Sequence, residues 1–160
     1  MTTTLTARNP RCSIARSLEV LGEKWTLLVV REAFFGRTRF AEFRERLGVA
    51  PDVLADRLAT LVDIGVFARR PYREAGERER EEYVLTEEGR ALLPVLGAFV
   101  QWGDEYRPTG YGPATQYTDA RTGAAVRLAF VDPTGAEVAL DDIAVVAGPG
   151  SLSAAEPVRP

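Results

Sequence analysis

Histidine is missing from the 160-residue sequence, and cysteine occurs once, at Cys12. Without a Cys/His ligand set there is no zinc site, and without histidine there is no Ser-His-Asp or Cys-His nucleophile. A single cysteine excludes an intrachain disulfide framework and fits a reducing compartment. No apolar run reaches membrane-spanning length, no Gly-rich phosphate loop is present, and the opening MTTTLTARNP lacks the apolar core of a signal peptide. The expectation is a cytoplasmic chain that is not an enzyme, carries no metal or cofactor and engages no membrane. Lysine is nearly missing too: Lys24 stands alone among 20 basic residues, the rest being arginine. With a net charge of −3, bulk charge announces no polyanionic partner, so the placement of the arginines has to be read instead. Their abundance has two readings. One is compositional bias shared with Ala, Val and Gly, and the other is a use of guanidinium forks on phosphates and base edges.

What is present is periodic. Ile14, Leu18, Leu21 and Trp25 recur at helical spacing. Gly22 divides that stretch into two helices, the second over residues 23–34 with an apolar middle, WTLLVV, expected at the centre of the core. Phe40, Phe43 and Leu47 make a short stripe, with Thr38 as its expected cap and Gly48 as its stop. Pro51 opens the next helix, which carries Leu54, Leu58 and Leu61 on one face and closes at Ile64-Gly65. Helix, three-residue turn, longer helix is the order of a helix-turn-helix. The run FARRPYREAGEREREEYVLT follows, two strand-like arms about a tip at Ala75-Gly76, with Phe67, Tyr83 and Leu85 as anchors at its base. A hairpin after a helix-turn-helix makes a winged helix, whose wing lies along a sugar-phosphate backbone.

Thr86, Glu87 and Glu88 begin a final helix with two apolar faces, one of Leu92, Val95, Phe99, Trp102 and Tyr106, the other of Leu93, Leu96 and Val100. Two faces exceed what one domain buries, and the surplus suits a second copy of the chain. Pro94 is expected to bend this helix. From Arg107 the Pro/Gly content marks a linker, and four short strand-like runs with turn chemistry between them predict a small antiparallel meander. The expected class is α+β. Its parts are a flexible arm at 1–11, a winged helix-turn-helix and dimerisation domain at 12–106, a β extension at 107–148 and a disordered tail at 149–160.

Residues 12–106 resemble the HxlR-type winged helix-turn-helix transcription regulators. The resemblance rests on C-x-I-A-R-S-L-E-V-L-G-E-K-W-T-L-L-V-V-R-E, R-F-A-E-F, A-P-x-V-L-A-D-R-L and Y-V-L-T-E-E-G-R-A-L-L-P-V-L, all in the family's order. It implies a cytoplasmic homodimer, joined through the first helix and residues 87–106, that binds double-stranded DNA at an inverted-repeat operator. The recognition helix would present Pro51, Asp52, Val53, Asp56 and Arg57 to the major groove. Arg37, Thr38 and Arg39 would meet the DNA backbone, as would the wing's Arg70, Arg73, Arg78 and Arg80.

Asp52 departs from the family, many of whose members have a basic residue there, and Asp56 is acidic too. Carboxylates repel phosphates but accept from a cytosine amino group. This helix is therefore expected to read bases and leave affinity to the arginines. Competing readings are an intramolecular ion pair for Arg57, a plain cap for Thr38 and a solvated charged strand for residues 77–82. Cys12, at a helix start near Arg8, Arg11 and Arg16, is either a redox or electrophile sensor, as in some family members, or a small residue at the dimer interface. Trp25, Phe34, Phe99 and Trp102 are either core or the lining of a pocket for a small-molecule effector. The alternative to a DNA-binding repressor is a winged-helix module that binds small molecules or proteins without reading DNA.

Overall fold

The computed structural model describes residues 11–151. The expected arm and tail therefore lie, apart from residue 11 and residues 149–151, outside the described residues. Two compact units are present: residues 11–90 with 147–151, and residues 91–146.

The first unit runs α1 (Ser13–Leu21), α2 (Lys24–Phe34), α3 (Phe40–Leu47), α4 (Pro51–Asp63), β1 (Phe67–Tyr72), β2 (Arg80–Leu85) and the single turn α5 (Glu87–Arg90). Local chemistry sets the boundaries. The Gly22 N–H closes α1 on the Leu18 carbonyl at 2.8 Å. Gly48 ends α3 in the left-handed region at φ 60°, and Pro51 occupies the first turn of α4, where its missing N–H leaves no helix bond unmade. Leu54, Leu58 and Leu61 are fully buried, at about 1.5–3 kcal/mol each for a leucine taken from water. Through this core α4 packs against α2, α3 and β1. Val29 and Val30 of α2 are equally buried, and the rings of Phe43 and Phe67 meet at 6.2 Å, joining α3 to the base of the hairpin.

The hairpin is antiparallel, in register from Phe67 opposite Leu85 to Tyr72 opposite Arg80. Its tip turns at Gly76, φ 81°, where the Glu77 N–H reaches the Glu74 carbonyl at 3.0 Å. Thr86 caps the next turn by accepting from the Gly89 N–H at 3.0 Å.

One continuous helix after Thr86 is not what forms. Pro94 interrupts the run rather than bending it: α5 stops at Arg90, and α6 (Leu93–Tyr106) restarts with the proline in its first turn, the one helical position that tolerates its missing N–H.

In the second unit, regular strand is confined to β3 (Phe130–Val131) paired with β4 (Glu137–Val138), with an isolated bridge between Thr118 and Ala125 and a short 3-10 turn at Leu140–Asp142. The expected meander is thus much reduced. The reason is visible at Leu128, whose backbone N–H and C=O pair with the side-chain amide of Gln101 on α6 instead of with a strand. Leu128 also presses on α6 at Gly97, where an added Cβ would stand 2.9 Å from its Cδ1.

Glu32 is a buried charge of the first unit, its side chain only 4% exposed. Arg31 donates to Oε1 from Nε at 3.0 Å and Nη2 at 2.6 Å, while Arg37 and Arg46 bring Nε to 3.8 Å from Oε2. The Glu32 carbonyl also accepts the Arg37 N–H at 3.2 Å. One carboxylate thus ties the end of α2, the loop after it and α3 together. Glu32→Ala should cost about 1–3 kcal/mol, because it empties a buried site and takes the common counter-charge from three arginines that are themselves 30–60% exposed. Urea unfolding measures it, and a loss below about 0.5 kcal/mol would reduce the cluster to an ordinary surface pair. Gly89→Ala tests the packing of α5. Its Cβ would fall 2.2 Å from the Val66 carbonyl oxygen, so the turn must move, at about 1–3 kcal/mol in the same assay.

Candidate nucleic-acid interface

Burial of one leucine face turns the other face of α4 outward. Pro51, Asp52 and Asp56 are exposed, and Val53 and Arg57 are half-buried. Arg57 forms no ion pair among the described residues, so the intramolecular partner weighed for it is not taken up.

The start of α3 is built differently from expectation. Thr38 does not cap the helix. Glu42 reaches back to accept from the Thr38 N–H at 2.9 Å and the Arg39 N–H at 3.0 Å. Those two donors, Arg39 first, hold its carboxyl below the usual carboxylate range. The Thr38 hydroxyl instead donates to Glu82 of β2 at 2.7 Å, and its carbonyl accepts the Tyr83 N–H at 2.7 Å. The wing is thereby fastened to the start of α3 by backbone and side chain. Glu82 accepts from Arg70 Nε as well, at 2.8 Å. The Thr38 hydroxyl and then Arg70 lower its pKa.

Arg39 pairs with Glu74 of the wing loop and lies over the Tyr72 ring, its guanidinium carbon 4.4 Å from the centre. Arg80 pairs with Glu77 at 3.1 Å, and Arg69 stands 3.7 Å from Glu81. Arg73 and Arg78 are exposed and form no ion pair among the described residues. Arg37 donates to the Phe35 carbonyl at 2.7 Å in addition to its approach to Glu32.

The sequence suggested that the glutamates of EREREE were merely solvated, and that misses Glu82. A hairpin register was needed to see that Glu82 stands opposite Arg70. Glu32 was also missed, although a lone acid within an apolar helix was a signal.

Cys12 is the N-cap of α1, half-exposed, with Sγ accepting from the Ala15 N–H at 3.5 Å. Arg16 donates to Ser13 rather than to the thiol, and Arg8 lies outside the described residues. Of the four aromatics considered for a pocket, Trp25 and Phe34 belong to the first unit, Phe99 and Trp102 to the second. Trp102 lines a cleft of about 740 Å3 within the second unit, with Tyr106, Phe130, Leu140 and the Arg127–Glu137 pair. Among the described residues no cluster of His, Cys, Asp and Glu could hold a metal, and no helix is long and apolar enough to cross a membrane.

Comparison with known proteins agrees with this architecture. Residues 20–111 match the family described as HxlR-like helix-turn-helix. An uncharacterized HTH-type transcriptional regulator of Mycobacterium tuberculosis is 41% identical over 140 residues, 86% of this chain and 87% of that protein. The crystal structure of PA1607, a proposed transcription factor, superposes with a TM-score of 0.75 at 37% identity, over 88% of this chain and 98% of that one. The redox regulator HypR in its reduced form gives a TM-score of 0.54 at 30% identity, over 60% of this chain and 94% of that one. The mycobacterial protein and PA1607 therefore share part of the chain beyond the winged helix, which HypR does not. The chain belongs to the HxlR-like helix-turn-helix family and is a DNA-binding, HTH-type transcription regulator, not an enzyme.

Proposed function

We propose that this protein is a cytoplasmic repressor that binds an inverted-repeat operator as a homodimer, residues 12–106 forming the DNA-binding and dimerisation domain. Pro51, Asp52, Val53, Asp56 and Arg57 of α4 read base edges in the major groove. Arg37, Thr38 and Arg39, together with Arg70, Arg73, Arg78 and Arg80 of the wing, lie on the backbone. The observation that carries this reading is the outward face of α4 beside a wing fastened to the start of α3. Two exposed carboxylates at Asp52 and Asp56 favour selection over attraction, since they accept from cytosine and repel phosphate.

The dimer uses α1 and residues 87–106. Ile14 is 72% exposed and Phe99 59%, and Leu18, Trp102 and Tyr106 are about half exposed as well, an apolar surplus typical of surfaces that meet a partner. A two-fold dimer places its recognition helices on one face of the duplex, so half-site centres lie about one helical turn apart or a multiple of it. A footprint over the DNA upstream of the gene and its neighbours should show a protected dyad with that spacing. Protection without a dyad contradicts the dimer, and no protection contradicts the operator reading.

Two routes for an effector are supported, and the comparison with HypR, itself a redox regulator, favours Cys12. Its thiol is half-exposed, and oxidation to a sulfenic acid followed by capping with a small thiol adds bulk at the start of α1. Mild oxidant should release the parent from its operator and leave Cys12→Ser bound, in gel shifts run side by side. Equal release of both, or none from the parent, moves the effector to the aromatic residues, Trp102 and its cleft first.

A further inference from the structure

Most of the arginines assigned to the duplex backbone already hold an oxyanion supplied by the chain. Glu74 takes Arg39, Glu82 takes Arg70 and the Thr38 hydroxyl, and Glu77 takes Arg80. The Arg39–Glu74 pair spans 35 residues, from the start of α3 to the wing loop. The guanidinium is aligned on Glu74 by the Tyr72 ring beneath it. A carboxylate presents two oxygens to a guanidinium fork much as a phosphate does. Arg57, Arg73 and Arg78 form no such pair among the described residues.

We infer that Glu74 is a resident counter-ion of the DNA-facing surface, an intramolecular stand-in for phosphate that a duplex must displace from Arg39 before that contact forms. This rests on the assignment of Arg39 to the backbone in the proposed function.

The consequence is quantitative. An arginine bound to mobile anions or facing condensed cations on DNA contributes to counterion release when it meets a phosphate. An arginine that first gives up a covalently attached carboxylate leaves that carboxylate to recruit a cation of its own, which cancels the release. The salt dependence of binding therefore undercounts the backbone contacts. Tethering also keeps the competing carboxylate at a high effective concentration that dilution does not reduce. The pair is exposed, Glu74 at 48% and Arg39 at 40%, so the exchange needs no unfolding of the wing. A chain with a net charge of −3 thus carries an arginine-rich wing without a strongly cationic surface.

The test uses the full chain and a fluorescent random-sequence duplex, titrated between about 50 and 200 mM potassium chloride. Glu74 is 48% exposed and its pair with Arg39 lies at the surface, so Glu74→Gln should change folding stability by about 1 kcal/mol or less. Relative to the parent the variant should bind about tenfold tighter at the low-salt end, with a slope steeper by about one unit per subunit. In the Arg39→Ala background the same substitution should gain little, because its target is gone. A Glu74→Gln protein that matches the parent in affinity and slope overturns the inference while leaving DNA binding intact. A gain that persists fully without Arg39 also overturns it, since a change in total charge then explains the result. A parent that does not bind the duplex at the lowest salt contradicts the proposed function, and the inference falls with it.

Discussion

Burial of Leu54, Leu58 and Leu61 against α2, α3 and β1 is the constraint from which the geometry of the first unit follows. With a helical repeat of 3.6 residues, sinking those three positions determines which residues of α4 stay in water. Asp52 and Asp56 are left exposed, and Arg57 half so. The same core reaches Phe67 and, through its ring, Phe43, so α3 and the hairpin are referred to one packed centre. The leucines thus orient residues they never touch. A leucine lost from this stripe would cost about 2–5 kcal/mol by cavity formation, enough to unfold a marginal domain.

Hydrogen bonds finish what packing begins. Thr38 is the joint: its hydroxyl goes to Glu82, its carbonyl takes the Tyr83 N–H, and its own N–H goes to Glu42. Two of those bonds fix the base of the wing against the start of α3, and the third holds Thr38 to α3 itself. The loop beyond is held more lightly, by exposed ion pairs that are typically worth about 0–1 kcal/mol each. That gradient suits a wing with a fixed base and an adaptable tip. It also explains how an acidic protein carries so many arginines at one edge. Arg39, Arg70 and Arg80 are matched locally by glutamates, in surface pairs of the kind that contribute little to stability.

Much of this was legible in the sequence, because it depends on short-range rules. The leucine stripe, Gly48 at a helix end, Pro51 at a helix start, Thr86 as a cap and the hairpin about Gly76 each follow from period, capping or turn chemistry within a few residues. The misreadings needed distant partners. Thr38 looked like a cap because Glu42 could do that work unseen and Glu82, 44 residues away, could claim the hydroxyl. Pro94 was expected to bend a helix, yet with only one turn behind it a fresh start was available. Four short strand-like runs suggested a meander, but Gln101 of α6 took the backbone groups of Leu128 that a neighbouring strand would have used. Glu32 gathers Arg37 and Arg46 from across the loop and α3, a meeting no local pattern encodes.

The central claim is a division of labour, with α4 choosing the sequence and the wing supplying sequence-independent affinity. The most direct measurement compares Arg78→Ala and Arg57→Ala with the parent on its operator and on a random duplex, each over a range of salt. Arg78, an exposed wing residue without an ion pair among the described residues, should when replaced weaken both duplexes alike and flatten the salt slope by about one unit per lost phosphate contact. Arg57→Ala should instead narrow the gap between operator and random duplex, by about 1–3 kcal/mol if the arginine reads one base. A wing variant that loses only the operator, or an Arg57 variant that weakens both duplexes equally, would contradict the account.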